Sequence, residues 1–395
     1  VSLPLSGLRI VAVEQYGAGP YGTGHFADMG ADVIKVEQRS AGGDMSRAVG
    51  PYFLGEDDSQ FYQTFNRNKR SLSLDLKQPA GQAVLHRLAA SADGLAGNLR
   101  GDQPDKLGLT YEHLKAHNPK IVCAHLSAYG RDGERAGWPG YDYLMQAEAG
   151  FLSLTGEPGG PPARFGLSMV DFMTGMTMAF ALLAGITAAR TSGQGRDVDV
   201  SLFDVAMHQL SYPATWYLND GLKTGRVPRS GHPYIVPSQL YRTADGWILL
   251  MCQTQKFWQI LCDRVGRPEL ADDPRFVGYA ERHDNRDALT EELDAALSAR
   301  TTADWLEVFG GAIPCAPVND LAQALDNPYF RDRGGVQTVR HPDRADLKLL
   351  NSPIRLGEPV PDRPAPKLGQ DSEAVLEELG YSAAEIACLK DNGVV

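Results

Sequence analysis

Leu8-Arg9-Ile10-Val11-Ala12-Val13, followed by Gly17-Ala18-Gly19-Pro20-Tyr21-Gly22 and then by Ala31-Asp32-Val33-Ile34-Lys35-Val36-Glu37, decides the fold of this 395-residue chain. The first run is short, apolar and β-branched, as a buried strand should be. The second has G-x-G-x-x-G spacing. Glycines there let the backbone approach a phosphate, and Pro20 suits the first turn of a helix whose N-terminus attracts anions. The third run is a second strand. Its final residue, Glu37, falls about 20 residues past the first glycine, where an acid would hold the ribose of NAD. By itself the block reads as a dehydrogenase fingerprint; tight strand-to-helix packing with no ligand is the plainer reading.

Working outward, strand-like and helical runs alternate to about residue 205. Leu72–Leu76 reads as a strand, Ala80–Ala92 as a helix, Gly94–Asn98 as a strand end, and Ile121–Leu126 and Asp197–Leu202 as strands. Met176–Ala189 reads as a core helix, too short for a membrane span. Such alternation predicts a largely parallel sheet with helices on both faces. Asn219–Ser238 lacks periodicity and reads as a linker. Beyond it, Gln239–Arg242 and Trp247–Met251 flank the turn Ala244-Asp245-Gly246 as a hairpin. A short edge strand falls within Ile313–Asn319. A Pro-rich crossing runs from His341 to Gly369, and Ser372–Lys390 reads as helical, packing back on the first domain. The division is 1–222 for the first part of a large domain, 223–330 for a smaller α+β domain, and 331–395 for a linker and return.

Composition narrows the class. With 43% hydrophobic and 22% charged residues and a net charge of −11, the chain reads as soluble and globular and offers no basic stripe for nucleic acid. The five cysteines form no C-x-x-C pair and lie mostly in apolar runs, as in a reducing compartment. His113 and His117 share a helical face but lack a third ligand, so no metal is expected. No signal peptide is expected ahead of the first strand. A cytoplasmic protein with no membrane and no nucleic-acid partner is expected.

Four further blocks bear on chemistry. Asn66–Lys77 carries Arg67, Lys69, Arg70 and Lys77 around a predicted strand at the edge of the sheet, where anionic cofactors sit. Asn98-Leu99-Arg100-Gly101 follows a strand and leads to Lys106. Pro139-Gly140-Tyr141-Asp142 opens an apolar helical run. Last comes Gly166–Gly175, in which Asp171 lies alone among apolar residues at the mouth of the long helix. Asp171 there would cap the helix, and the helix N-terminus would also keep its carboxylate ionised and ready to attack.

These blocks, in this order, resemble the family III CoA-transferases, and the similarity runs to Lys367–Gly380. The resemblance implies an α/β fold with a Rossmann-like large domain built from both chain ends, a smaller α+β domain, and an interlocked homodimer. It also implies an aspartate nucleophile at Asp171. CoA-binding positions carry over onto Gly17, Ala18, Arg39, Leu74, Lys77, Asn98, Leu99, Arg100, Lys106, Tyr141 and Asp142. No permanently bound cofactor is implied; coenzyme A enters as co-substrate in an acyl-CoA, and a carboxylic acid accepts it.

The chain departs from the formyl-CoA transferases, which carry a glycine run where Ser230-Gly231-His232-Pro233 stands, a basic residue at Gln38 and a glutamine at Gly17. Oxalate is therefore not the expected acceptor. Related 2-methylacyl-CoA racemases have a histidine in the block of Tyr141. Racemase or epimerase α-proton chemistry is the alternative function, and a phenol with an ordinary pKa near 10 serves it poorly. Arg164 is a candidate partner for a distal carboxylate such as that of succinate, or simply a loop arginine facing solvent.

Overall fold

The computed structural model describes residues 2–395. Six strands form one parallel sheet in the order β3-β2-β1-β4-β5-β6: β1 Arg9–Val13, β2 Asp32–Glu37, β3 Arg70–Ser73, β4 Gly94–Gly97, β5 Val122–Ser127 and β6 Arg196–Ser201. Ile10 pairs with Val33 on one side and Gly94 on the other, so β1 is central. Its apolar run is buried on both faces, the usual environment of a parallel strand. Between β1 and β4 the chain reverses the direction in which it adds strands, which leaves a crevice at their carboxyl ends.

The helices of this part are α1 Ala18–Asp28, α2 Gln60–Asn66, α3 Pro79–Ala90, the short α4 Gln103–Lys106 and α5 Tyr111–Leu114, α6 Asp142–Glu148, α7 Met169–Ser192 and α8 Leu202–Gln209. Helix α7 has 24 residues, longer than the stretch its sequence marks, and by length and hydropathy it matches a membrane span. One side of it packs into the fold: Val170, Thr174, Met178, Leu182, Ile186 and Ala189 form a buried stripe, while Phe180 on the other side is 76% exposed. Its sequence is apolar all round, so periodicity does not reveal which side is packed.

The chain divides into two compact units, Val1–Ala149 with Gly166–Gln209 and Tyr329–Val395, and Gly150–Phe165 with Leu210–Pro328. The sequence boundaries differ at two places. Gly150–Phe165 groups with the second unit, and the main crossing falls after Gln209, ahead of the Gly- and Pro-rich stretch that marks it in sequence. The second unit holds an antiparallel sheet of β7 Ser238–Arg242, β8 Trp247–Met251 and β9 Cys315–Pro317. Its own core is built around Trp258, Phe276, Trp305 and Phe309.

Three local expectations are corrected. Strand β3 ends at Ser73, so Leu74–Lys77 is the loop leaving its carboxyl end. The predicted Pro-rich crossing contains most of a hairpin, β10 Val336–His341 with β11 Arg344–Leu350, which buries Val339, Leu347 and Leu349 against Leu54. Only alternate residues on one face are buried, and polar residues on the other mask the signal. The C-terminal segment is two helices, Ser372–Glu378 and Ala383–Asp391. Gly380 adopts φ 81° between them, and Ser382 with Glu385 forms a capping box for the second. Val375, Leu376 and Ile386 enter the same core as Val11, Ile34 and Leu72.

Candidate active site

The opening glycines have tertiary reasons, each different. Gly17 precedes α1, and a Cβ on it would stand 3.2 Å from Asp171 Oδ2. A Cβ on Gly19 would meet the Asn98 side chain at 2.8 Å. One on Gly22 would run into the carbonyl oxygen of Gly175, while one on Gly175 would run into that of Ala18. Helices α1 and α7 therefore cross backbone against backbone. That crossing brings the first turn of α7, and with it Asp171, beside the turn after β1.

Asp171 is the third residue of α7; Ser168, not Asp171, is the N-cap. The Asp171 backbone N–H donates to Asp142 Oδ2 at 2.9 Å, so the helix is capped by a side chain from α6. Asp142 is itself buried, and its other oxygen accepts the Gln146 amide at 2.5 Å. Burial first, and the Asp142 charge second, push the Asp171 carboxyl from 3.8 up to about 7. Desolvation thus outweighs the helix N-terminus, and the expectation of a carboxylate simply kept ionised is corrected.

Asp171 opens into a cavity of about 450 Å³ at the β1–β4 crevice. Gly17, Ala18, Asn98, Leu99, Arg100 and Tyr141 line it with Asp171. A second cavity, about 200 Å³, lies over the carboxyl ends of β1, β2 and β3 and is lined by Leu74, Lys77 and Gln38. Gln15 and Leu99 line both, so the two form one groove along the sheet edge. Lys77 and Arg100 are the cations on its walls among the described residues.

Other expected residues are placed elsewhere. Arg39 is exposed, donates to the Leu368 carbonyl at 3.2 Å and lines neither cavity. Lys106 pairs with Asp102 at 2.6 Å and also lies off the groove. Asn98 does line the groove, but its amide bridges the strand ends, donating to Gln15 O at 2.7 Å and accepting Gln15 N–H at 2.8 Å. Asp142 lies behind Asp171 and does not line the cavity. Arg164 belongs to the second unit, where it is exposed and donates to the Phe165 carbonyl at 2.8 Å.

Most of the cationic block is structural. Arg67 pairs with Asp28 at 2.6 Å, Lys69 with Glu14 at 2.7 Å, and Arg70 with Glu378 at 2.7 Å. These residues lie before or at the start of β3; of the block, only Lys77, past its carboxyl end, lines the groove. Glu37 is likewise consumed. It is buried, and its oxygens take Arg47 at 2.7 and 2.9 Å and Ser71 Oγ at 2.6 Å. A ribose would have to break that ion pair, so the NAD reading is corrected.

Residues that sequence did not single out complete the site. Lys35, fully buried on β2, pairs with Asp44 at 2.8 Å and donates to the Glu14 carbonyl at 3.0 Å. Burial would raise Asp44, but the Lys35 charge and hydrogen bonds pull it down to about 2. Asp44 Oδ1 accepts the Tyr16 N–H at 2.9 Å and holds Tyr16 at φ 68° on the wall of the Asp171 cavity. Nothing in a linear pattern marks a non-glycine residue for the left-handed region.

A Rossmann-ordered sheet with a largely buried aspartate of raised pKa at its crevice defines an α/β fold with an acidic side chain at its switch point. The chain belongs to CoA-transferase family III, whose model matches residues 5–372. It is 34% identical over 384 residues to succinate–glutarate CoA-transferase of Agrobacterium fabrum, covering 95% of this chain and 96% of the relative. It is 33% identical over 393 residues to acetyl-CoA:oxalate CoA-transferase of Acetobacter aceti, covering 97% of each. Among solved structures, a CAIB/BAIF family protein from Brucella suis matches with a TM-score of 0.81 and 32% identity, over 96% of this chain and 100% of that one. The protein is an enzyme that transfers CoA between carboxylates, with CoA thioesters as co-substrates.

Proposed function

We propose that the protein moves CoA from succinyl-CoA to a second dicarboxylic acid through a thioester on Asp171. The observation that carries the reading is the Asp171 carboxyl, held beside Gly17 on the wall of the switch-point groove with its pKa near 7. A carboxylate stripped of water is a better nucleophile than a solvated one, and near neutrality a large fraction of it is ionised.

Asp171 attacks the thioester carbonyl; the C–S bond breaks, giving a mixed anhydride and CoA thiolate. The thiolate attacks the Asp171 carbonyl and expels the donor acid, leaving aspartyl-CoA. The acceptor carboxylate attacks that thioester, forming a new anhydride and freeing the thiolate again. Thiolate attack on the acceptor's carbonyl makes the product and restores Asp171. Each step exchanges one bond to an acyl carbon for another, and no proton is consumed. Lys77 and Arg100, at the two cavities, suit the phosphates of CoA. The dicarboxylates in the names of both relatives support the substrate class. The exposed apolar side of α7, with Met176 and Phe180, supports a homodimer.

Incubating the enzyme with succinyl-CoA and a panel of acids, with acyl-CoA products read by mass spectrometry, tests the substrates. Borohydride trapping during turnover is expected to modify Asp171. An enzyme whose Asp171→Ala variant exchanges CoA normally has another mechanism.

A further inference from the structure

We propose that the Tyr16 hydroxyl donates a hydrogen bond to the carbonyl oxygen of the acyl group under attack at Asp171; the inference rests on the CoA-transfer reading above. Tyr16 lines the cavity that Asp171 opens into. Its backbone takes φ 68°, a region that disfavours a side-chain-bearing residue and is adopted only where surroundings enforce it. The enforcement is visible: Asp44 accepts the Tyr16 N–H at 2.9 Å, Lys35 fixes Asp44 at 2.8 Å, and the Tyr16 ring packs on Phe61 with centroids 5.1 Å apart. Such a clamp points one side chain into the groove, next to Gly17, where the chain could have turned with glycine alone.

The Tyr16 hydroxyl has no hydrogen-bond partner among the described residues, so its proton is available to a ligand. Burial, and then the Asp171 charge, raise its pKa, so it serves as a donor and not as a base. Of the two tyrosines lining the cavity, Tyr141 is 58% exposed while Tyr16 is only partly so, and a donor shielded from water gains more when negative charge develops nearby. Every anhydride and thioester step at Asp171 passes through a tetrahedral oxyanion, the species such a donor stabilises best.

The test is Tyr16→Phe, which keeps the ring against Phe61 and removes only the donor. Exchange between succinyl-CoA and glutarate is measured beside free-CoA binding by calorimetry and the melting temperature, with Asp171→Ala in parallel. The expected result is a fall in kcat of about 100-fold, with CoA affinity and melting temperature unchanged. Wild-type exchange by Tyr16→Phe while Asp171→Ala is dead overturns the role of Tyr16 alone. Loss of CoA affinity in Tyr16→Phe overturns it too, because the hydroxyl would then serve CoA and not the acyl group. Normal exchange by Asp171→Ala overturns the reading beneath it.

Discussion

Asp142 accepts the backbone N–H of Asp171 at 2.9 Å, joining the first turn of α6 to the first turn of α7. One carboxylate therefore both caps the helix that carries the other and opposes its ionisation. Asp142→Asn keeps an acceptor oxygen for the N–H and removes the charge. The expected outcome is an acid limb of the kcat/KM profile moved to lower pH, with the fold retained. Asp142→Ala removes the acceptor as well, and urea titration should show a loss of about 1–3 kcal/mol.

Asp171 also makes stability depend on pH. Its folded pKa is raised from 3.8 to about 7. Its contribution is fully present below the unfolded value near 4 and is lost as pH rises to the folded value, by about 1.4 kcal/mol per unit. Asp171→Asn lacks that term. The variant should gain stability relative to wild type between pH 4 and 7, by up to about 4 kcal/mol, and the gap should stay constant above that. Melting curves across this range check it, and exchange activity should be absent throughout.

The α1–α7 crossing sets the site from behind. Gly22→Ala or Gly175→Ala puts a methyl group against a backbone carbonyl that cannot rotate away. Overpacking of this kind should cost about 1–3 kcal/mol in denaturant titration. Because the same crossing positions Asp171, kcat should drop even in the folded fraction.

Glu37 tests how the dinucleotide fingerprint is used. Glu37→Gln leaves Arg47 buried without its anionic partner, and a loss of about 3–5 kcal/mol is expected from thermal or urea unfolding. NAD should not protect the wild-type protein in the same melts, whereas CoA should.

The groove separates the cations that line it, Lys77 and Arg100, from those that do not. Lys77→Ala and Arg100→Ala should each weaken CoA binding by about tenfold, the weight of one charge-assisted contact. Arg39→Ala and Lys106→Ala, both off the groove, should leave it unchanged. Calorimetry with free CoA at two salt concentrations compares the four.

Much of the fold could be read from order alone. Strands β1, β2, β4 and β5 are largely apolar, buried runs between turn residues, and buried parallel strands need little else; β6 shows instead as the alternation of Val198 and Val200 with Asp197 and Asp199. The β10–β11 hairpin was not legible, because its small core requires Leu54 from far away in the chain. At the site, Asp171, Gly17, Leu99 and Arg100 stood in recognisable blocks. Tyr16, Lys35 and Asp44 did not, since their roles come from buried pairings and a left-handed backbone that leave no periodic trace.

By itself the sequence determined a Rossmann-like chain with an aspartate at the start of a long apolar helix, because hydrophobic period and glycine spacing are local properties. Only tertiary structure decided what those residues do. It turned the G-x-G-x-x-G glycines into contact points for Asp171, Asn98 and Gly175, and gave Glu37 to Arg47. It also set Asp142 behind Asp171. Charge and desolvation depend on neighbours in space, and the neighbours that tune Asp171 lie on other elements of the chain.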